Sequence, residues 1–207
     1  AIVILNMDIT LDKKSPSSKE QITLNCTNGE KTVQDQKTVN FVSYAGLVTI
    51  SKVSDYGIEV INNQGNKEIT IPINQKARGT RTTTVENEII NNEENEISNV
   101  SILGIYPTKD AVEGNNFDIL AGEVSIEGID ASRIKVYYSE NASATKDLTN
   151  KDNGWTENIA DSKNVKKYLI TVDKLAVRES MKISYDIQIP QDLDYNLTAK
   201  QGYEVYY

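Results

Sequence analysis

The sequence predicts an all-β fold built from two tandem antiparallel β-sandwich domains. Three observations carry this. The first is strict alternation of apolar and polar residues: Val3, Leu5, Met7, Ile9 and Leu11 alternate with polar or outward positions, as do Met181, Ile183, Tyr185, Ile187 and Ile189 with Lys182, Ser184, Asp186 and Gln188. A period of two buries one face of a strand and wets the other. The second is composition. The runs between these two are short and rich in Val, Ile, Thr and Tyr, which suit a pleated surface, and Asn/Gly turn signals separate them. The third is the absence of any sustained helical period; the stretch 161–167 reads as at most one turn of helix.

After Ile2–Leu11, strands are expected near 20–26, 37–44, 47–53, 57–62 and 67–74, then near 82–91, 96–104, 122–127, 133–139, 165–173, 181–189 and 203–207. Asn28-Gly29, the stretch 62–65 (Asn-Asn-Gln-Gly) and the stretch 91–95 are hairpin-like punctuation. The polar, basic, Gly-containing stretch 75–80 is the expected joint. It would separate a domain over 1–76 from a larger one over 82–207, with a single larger sandwich as the alternative. Both chain ends read as interrupted strand patterns, so the segment is expected to belong to something longer.

Composition narrows the function. The net charge is −8, with 30 acidic against 22 basic residues. Such a chain repels phosphate backbones and anionic membrane surfaces, so nucleic-acid binding is not expected, and no run approaches the length of a membrane span, so membrane insertion is not expected either. There is no histidine and one cysteine, Cys26. One cysteine makes no intrachain disulfide, and its place beside Ile22 and Leu24 reads as that of a small buried hydrophobe. Without histidine there is no Ser-His-Asp or Cys-His arrangement and no His-rich zinc site. No phosphate-binding or dinucleotide fingerprint is present either. The chain is therefore expected not to be an enzyme.

A resemblance adds to this. Its residues are the stretches 88–92 (Glu-Ile-Ile-Asn-Asn), 97–104 (Ile-Ser-Asn-Val-Ser-Ile-Leu-Gly), 134–141 (Ile-Lys-Val-Tyr-Tyr-Ser-Glu-Asn), 152–155 (Asp-Asn-Gly-Trp), 183–190 (Ile-Ser-Tyr-Asp-Ile-Gln-Ile-Pro) and 203–207 (Tyr-Glu-Val-Tyr-Tyr). Over 82–207 the chain resembles repeat domains of large wall-anchored, adhesin-like surface proteins of Gram-positive bacteria. The part before the joint looks more loosely like the immunoglobulin-like modules that stack beside them. The resemblance implies an extracellular location on the cell wall, Ig-like sandwiches, a stalk or adhesive role, and no active site. It implies neighbouring domains of the same longer chain as partners, with a host or cell-surface protein or a glycan as a further partner.

Three sets of residues are candidates for chemistry. The aromatic set Tyr137, Tyr138, Trp155 and Tyr168 would suit sugar stacking in a carbohydrate-binding accessory module, the alternative to the stalk. The loop holding Asp147, Asn150 and Asp152 is the best candidate for calcium, although its spacing does not match an EF-hand, Lys151 opposes a cation, and a solvated turn is the favoured reading. An intramolecular Lys–Asn isopeptide bond would need a desolvated lysine and a protonated acid; Lys13 or Lys14, with Glu59 and Asn74, has roughly that order.

Overall fold

The computed structural model describes residues 18–29, 31–41, 46–53, 58–63, 69–71, 81–107, 120–189 and 199–207. The expected alternating strand over 2–11 lies outside them. The described chain is mostly strand with almost no helix, with two short 3-10 turns at Ala131–Arg133 and Lys151–Asn153. Where one helical turn was expected near 161–167, the chain makes a tight turn closed by Asn164 N–H on the Asp161 carbonyl, 3.1 Å. Among the described residues no helix is long and apolar enough to cross a membrane.

The chain divides into two compact units, residues 1–45 and 46–207. In the first, the described residues form one antiparallel hairpin, β1 (Ser18–Asn28) and β2 (Lys31–Phe41). Asn28 pairs with Lys31 across a turn in which Gly29 has φ +62°, a conformation that favours glycine.

The second unit has two antiparallel sheets. In one, the order is β4 (Ile58–Asn63), β3 (Leu47–Val53), β6 (Arg81–Asn91), β12 (Ser180–Ile189) and β8 (Leu120–Ala121), with β9 (Ser125–Glu127) also on β12. In the other it is β10 (Ile134–Ser139), β11 (Lys167–Leu175), β7 (Ile97–Ile105), β13 (Ala199–Tyr206) and β5 (Ile69–Ile71).

This arrangement corrects the expected joint at 75–81. Leu47 to Val53 pair with Asn91 to Val85, and Ile69 to Ile71 pair with Gln201 to Ala199, so strands from both sides of that joint share ladders. The physical reason is visible in β3. Leu47 and Val53 belong to the main core, whereas Val48 and Ile50, on the opposite face, form a second buried cluster with Ile90. A strand buried on both faces belongs inside a larger sheet. The expected domains 1–76 and 82–207 are thus replaced by a division after Ala45, nearer to the single larger sandwich.

Both sheets contribute to one core. Met181, Ile183, Tyr185 and Ile187 of β12 bury the face that alternation marked, together with Val85 and Ile89 of β6 and Ile102, Ile170 and Tyr203 of the other sheet. Each fully buried side chain of this size contributes roughly 1.5–3 kcal/mol. At the centre Tyr106, Tyr168 and Tyr185 meet with ring centroids 4.9–5.9 Å apart. Burial pushes the phenol pKa of all three, and of Tyr203, above the ordinary value. The Tyr168 ring lies on Gly104, where an added Cβ would sit 1.8 Å from its Cζ, so the close approach of ring and backbone requires glycine. Ser51 donates to its cross-strand neighbour Asn87, and polar contacts also cross the core: Ser51 lies 3.3 Å from the Tyr203 hydroxyl, and Tyr185 donates to Gln201.

Candidate functional site

The densest side-chain chemistry lies beside β10, an edge strand of its sheet. The outer edge of β10 takes one bridge: Tyr138 N–H donates to the Thr156 carbonyl at 2.7 Å, and Thr156 N–H returns to Tyr138 at 2.9 Å. Between these residues the chain makes the 140–155 loop.

Asn153 organises that loop. It is buried, and its amide oxygen accepts from Thr145 N–H at 3.0 Å. Its amide nitrogen donates to the Asp147 carbonyl at 2.7 Å and to Thr145 Oγ1 at 3.1 Å. Its own carbonyl accepts from Ser139, and Gly154 follows in a left-handed conformation at φ 64°. A short polar side chain thereby satisfies backbone groups that no ladder reaches.

The loop also lies against the outer face of the sheet. Leu103 and Leu169 are buried there, outside the main core, and Lys167 on the same face donates to the Ala144 carbonyl at 2.7 Å. Burial lowers the Lys167 pKa from the ordinary lysine value, against the opposing pull of Glu204. Farther across, Lys146 Nζ sits 4.0 Å above the Tyr206 ring. The Tyr206 hydroxyl donates to Glu204, and that bond holds its pKa up to about 12.

The expected aromatic set does not form one surface. Tyr168 and Tyr138 are buried in the core, with the Tyr138 hydroxyl accepting from Val124 N–H. Tyr137 and Trp155 are half-buried, and the Trp155 indole N–H donates to the Thr145 carbonyl at 2.9 Å. The expected calcium residues serve the loop instead. Asp147 accepts from Thr149 N–H and hydroxyl, which lowers its carboxyl pKa, while Asn150 caps the short 3-10 turn at Asp152 N–H. Asp152 accepts from Asn141 through its backbone carbonyl. Among the described residues no group of three or more His, Cys, Asp or Glu could hold a metal ion. Of the isopeptide set, Lys13, Lys14 and Asn74 lie outside the described residues, as does the side chain of Glu59; the Glu59 backbone pairs with Lys52. The Cys26 side chain is likewise outside them.

Sequence reasoning did not foresee the groove of about 480 Å³ that borders this loop. Tyr138, Val165 and Ile159 supply its apolar surface, and exposed Glu140, Thr156 and Asn158 line its open side. These residues come from three separate stretches, which the Tyr138–Thr156 bridge brings together, so no local motif announces them. The sequence matches no known protein family and no curated protein.

Proposed function

We propose that this chain is a non-catalytic structural and adhesive segment of a bacterial cell-surface protein, acting as a stalk or presenting segment on the Gram-positive cell wall. The immunoglobulin-like description then applies to the one sandwich of residues 46–207. The observation that carries this reading is where the unit's first and last strands sit. β3 lies between β4 and β6, and β13 lies between β7 and β5. A pull on the ends therefore acts on strands held by ladders on both sides. Such placement suits a module that transmits load between neighbouring domains of a longer chain.

Two further observations support it. Of the rings that would stack on a sugar, Tyr138 and Tyr168 are committed to the core and Trp155 is tied to the loop, which favours the stalk over the carbohydrate-binding alternative. The missing histidine removes the commonest general base, in keeping with a non-catalytic role.

Single-molecule pulling on a polyprotein containing the whole chain tests the reading. The expected record is one abrupt rupture that releases the full length of residues 46–207. Gradual extension at low force, or clear saturable binding on a glycan array, would count against it.

A further inference from the structure

We propose that the groove beside β10 binds an extended polypeptide segment of a partner protein, with a lysine or arginine side chain laid into it. This goes beyond the structural role and does not depend on it.

Size and lining come first. At about 480 Å³ the groove lies within the roughly 300–1,000 Å³ range of ligand clefts. Its apolar surface comes from Tyr138, Val165 and Ile159, and the one formally charged residue lining it is Glu140. No lysine or arginine lines it. Glu140 has no ion-pair or side-chain hydrogen-bond partner among the described residues, and Glu157 stands exposed next to the lining residue Thr156. An apolar trough ending at a free carboxylate matches a side chain with an aliphatic stem and a cationic head. A pyranose would want a broad exposed ring, and Tyr138 is only 7% exposed.

The backbone argues for a polypeptide rather than a free amine. Tyr138 turns its N–H and C=O outward from the sheet, as the bridge to Thr156 shows. Strand geometry turns those of Val136 the same way. The edge of β10 thus leads to the groove, and two strand positions span roughly 7 Å, within reach of a lysine side chain. A segment added at Val136 would gain ladder bonds for affinity and the groove for specificity.

The test is an NMR titration of the ¹⁵N-labelled whole chain with two synthetic pentapeptides, acetyl-Thr-Val-Lys-Val-Thr-amide and its glutamate counterpart. The lysine peptide is expected to give saturable shifts at Glu140, Thr156, Asn158 and Ile159, stronger at low salt, and the glutamate peptide none. Glu140→Gln, an exposed change compatible with folding, is expected to weaken binding about fivefold. Ile159→Lys is expected to fill the groove and abolish it. Absent or non-saturable shifts at these residues would overturn the proposal. So would an equal response to the glutamate peptide, unchanged affinity in Glu140→Gln, or preferential saturation by a neutral oligosaccharide. None of the peptide results would alter the pulling record, so on those outcomes the two readings fail separately.

Discussion

The β1–β2 hairpin and the 140–155 loop make opposite use of the chain. The hairpin pairs eleven residues on each strand in unbroken register, yet all its described side chains are exposed, Val33 at 70%. The loop has no ladder, only a 3-10 turn and local turns, yet it buries Asn153 and Ala144 and ties its backbone to side chains at nearly every step. A two-stranded hairpin alone is marginal in water, because ladder bonds replace bonds to water at little net gain. The loop instead satisfies buried groups that would each cost about 1–3 kcal/mol if left unpaired. In the loop, burial and local hydrogen bonds rather than ladder pairing set the contribution to stability.

The largest expected effect lies in the main core of residues 46–207. Gly104→Ala would drive a methyl into the Tyr168 ring, which Tyr106 and Tyr185 hold in place. A loss of about 3 kcal/mol or more is expected in urea unfolding. Gly104→Ala combined with Tyr168→Leu should cost less than the sum of the single changes.

Alkali acts on the same residues. Because burial raises the pKa of Tyr106, Tyr168, Tyr185 and Tyr203, their stabilising contribution is complete below the unfolded value of about 10 and is lost as pH rises toward the folded values. Each then costs about 1.4 kcal/mol per pH unit. Tyrosine ionisation, followed by ultraviolet absorbance, should coincide with cooperative unfolding above pH 10. Ionisation of all the tyrosines near 10 without unfolding would show that they are not buried.

Asn153→Ala sharpens the comparison itself. A local loss of about 2–3 kcal/mol is expected. Amide exchange at Thr145 and Gly154 should accelerate about a hundredfold while Ile102 and Ile170 keep their protection. Equal acceleration in the core would show that the loop is not a separate layer of stability. The smallest effect belongs to the hairpin: Val33→Thr should shift stability by less than about 0.5 kcal/mol, and a larger change would mean that Val33 is covered in solution.

Several elements were legible in the sequence because their signal is local. Leu47–Val53 is observed where expected, and the strand expected at 181–189 is β12, with Met181, Ile183, Tyr185 and Ile187 facing inward. The start of β2 was missed because Lys31 to Gln36 are exposed along both faces and show no alternation. Of the strand expected over 122–127 only β9 forms, with β8 just before that range, and the two pair with different parts of β12. The division of the chain was misread because linker-like composition at 75–80 is a local cue, whereas the pairing of β3 with β6 joins residues far apart in sequence. A signal was present: apolar residues on both faces of β3. At the loop, Asn153 was not a visible hub. Its partners Thr145 and Asp147 become neighbours once the loop closes.

The account rests on residues 46–207 forming one sandwich rather than halves joined near 75–81. The direct measurement is to place a protease site between Ala77 and Arg78, cleave the folded protein, and follow the pieces by size exclusion and urea titration. One co-eluting species with a single transition, separable only in denaturant, is the predicted result. Two fragments that separate under native conditions and each unfold cooperatively would contradict it.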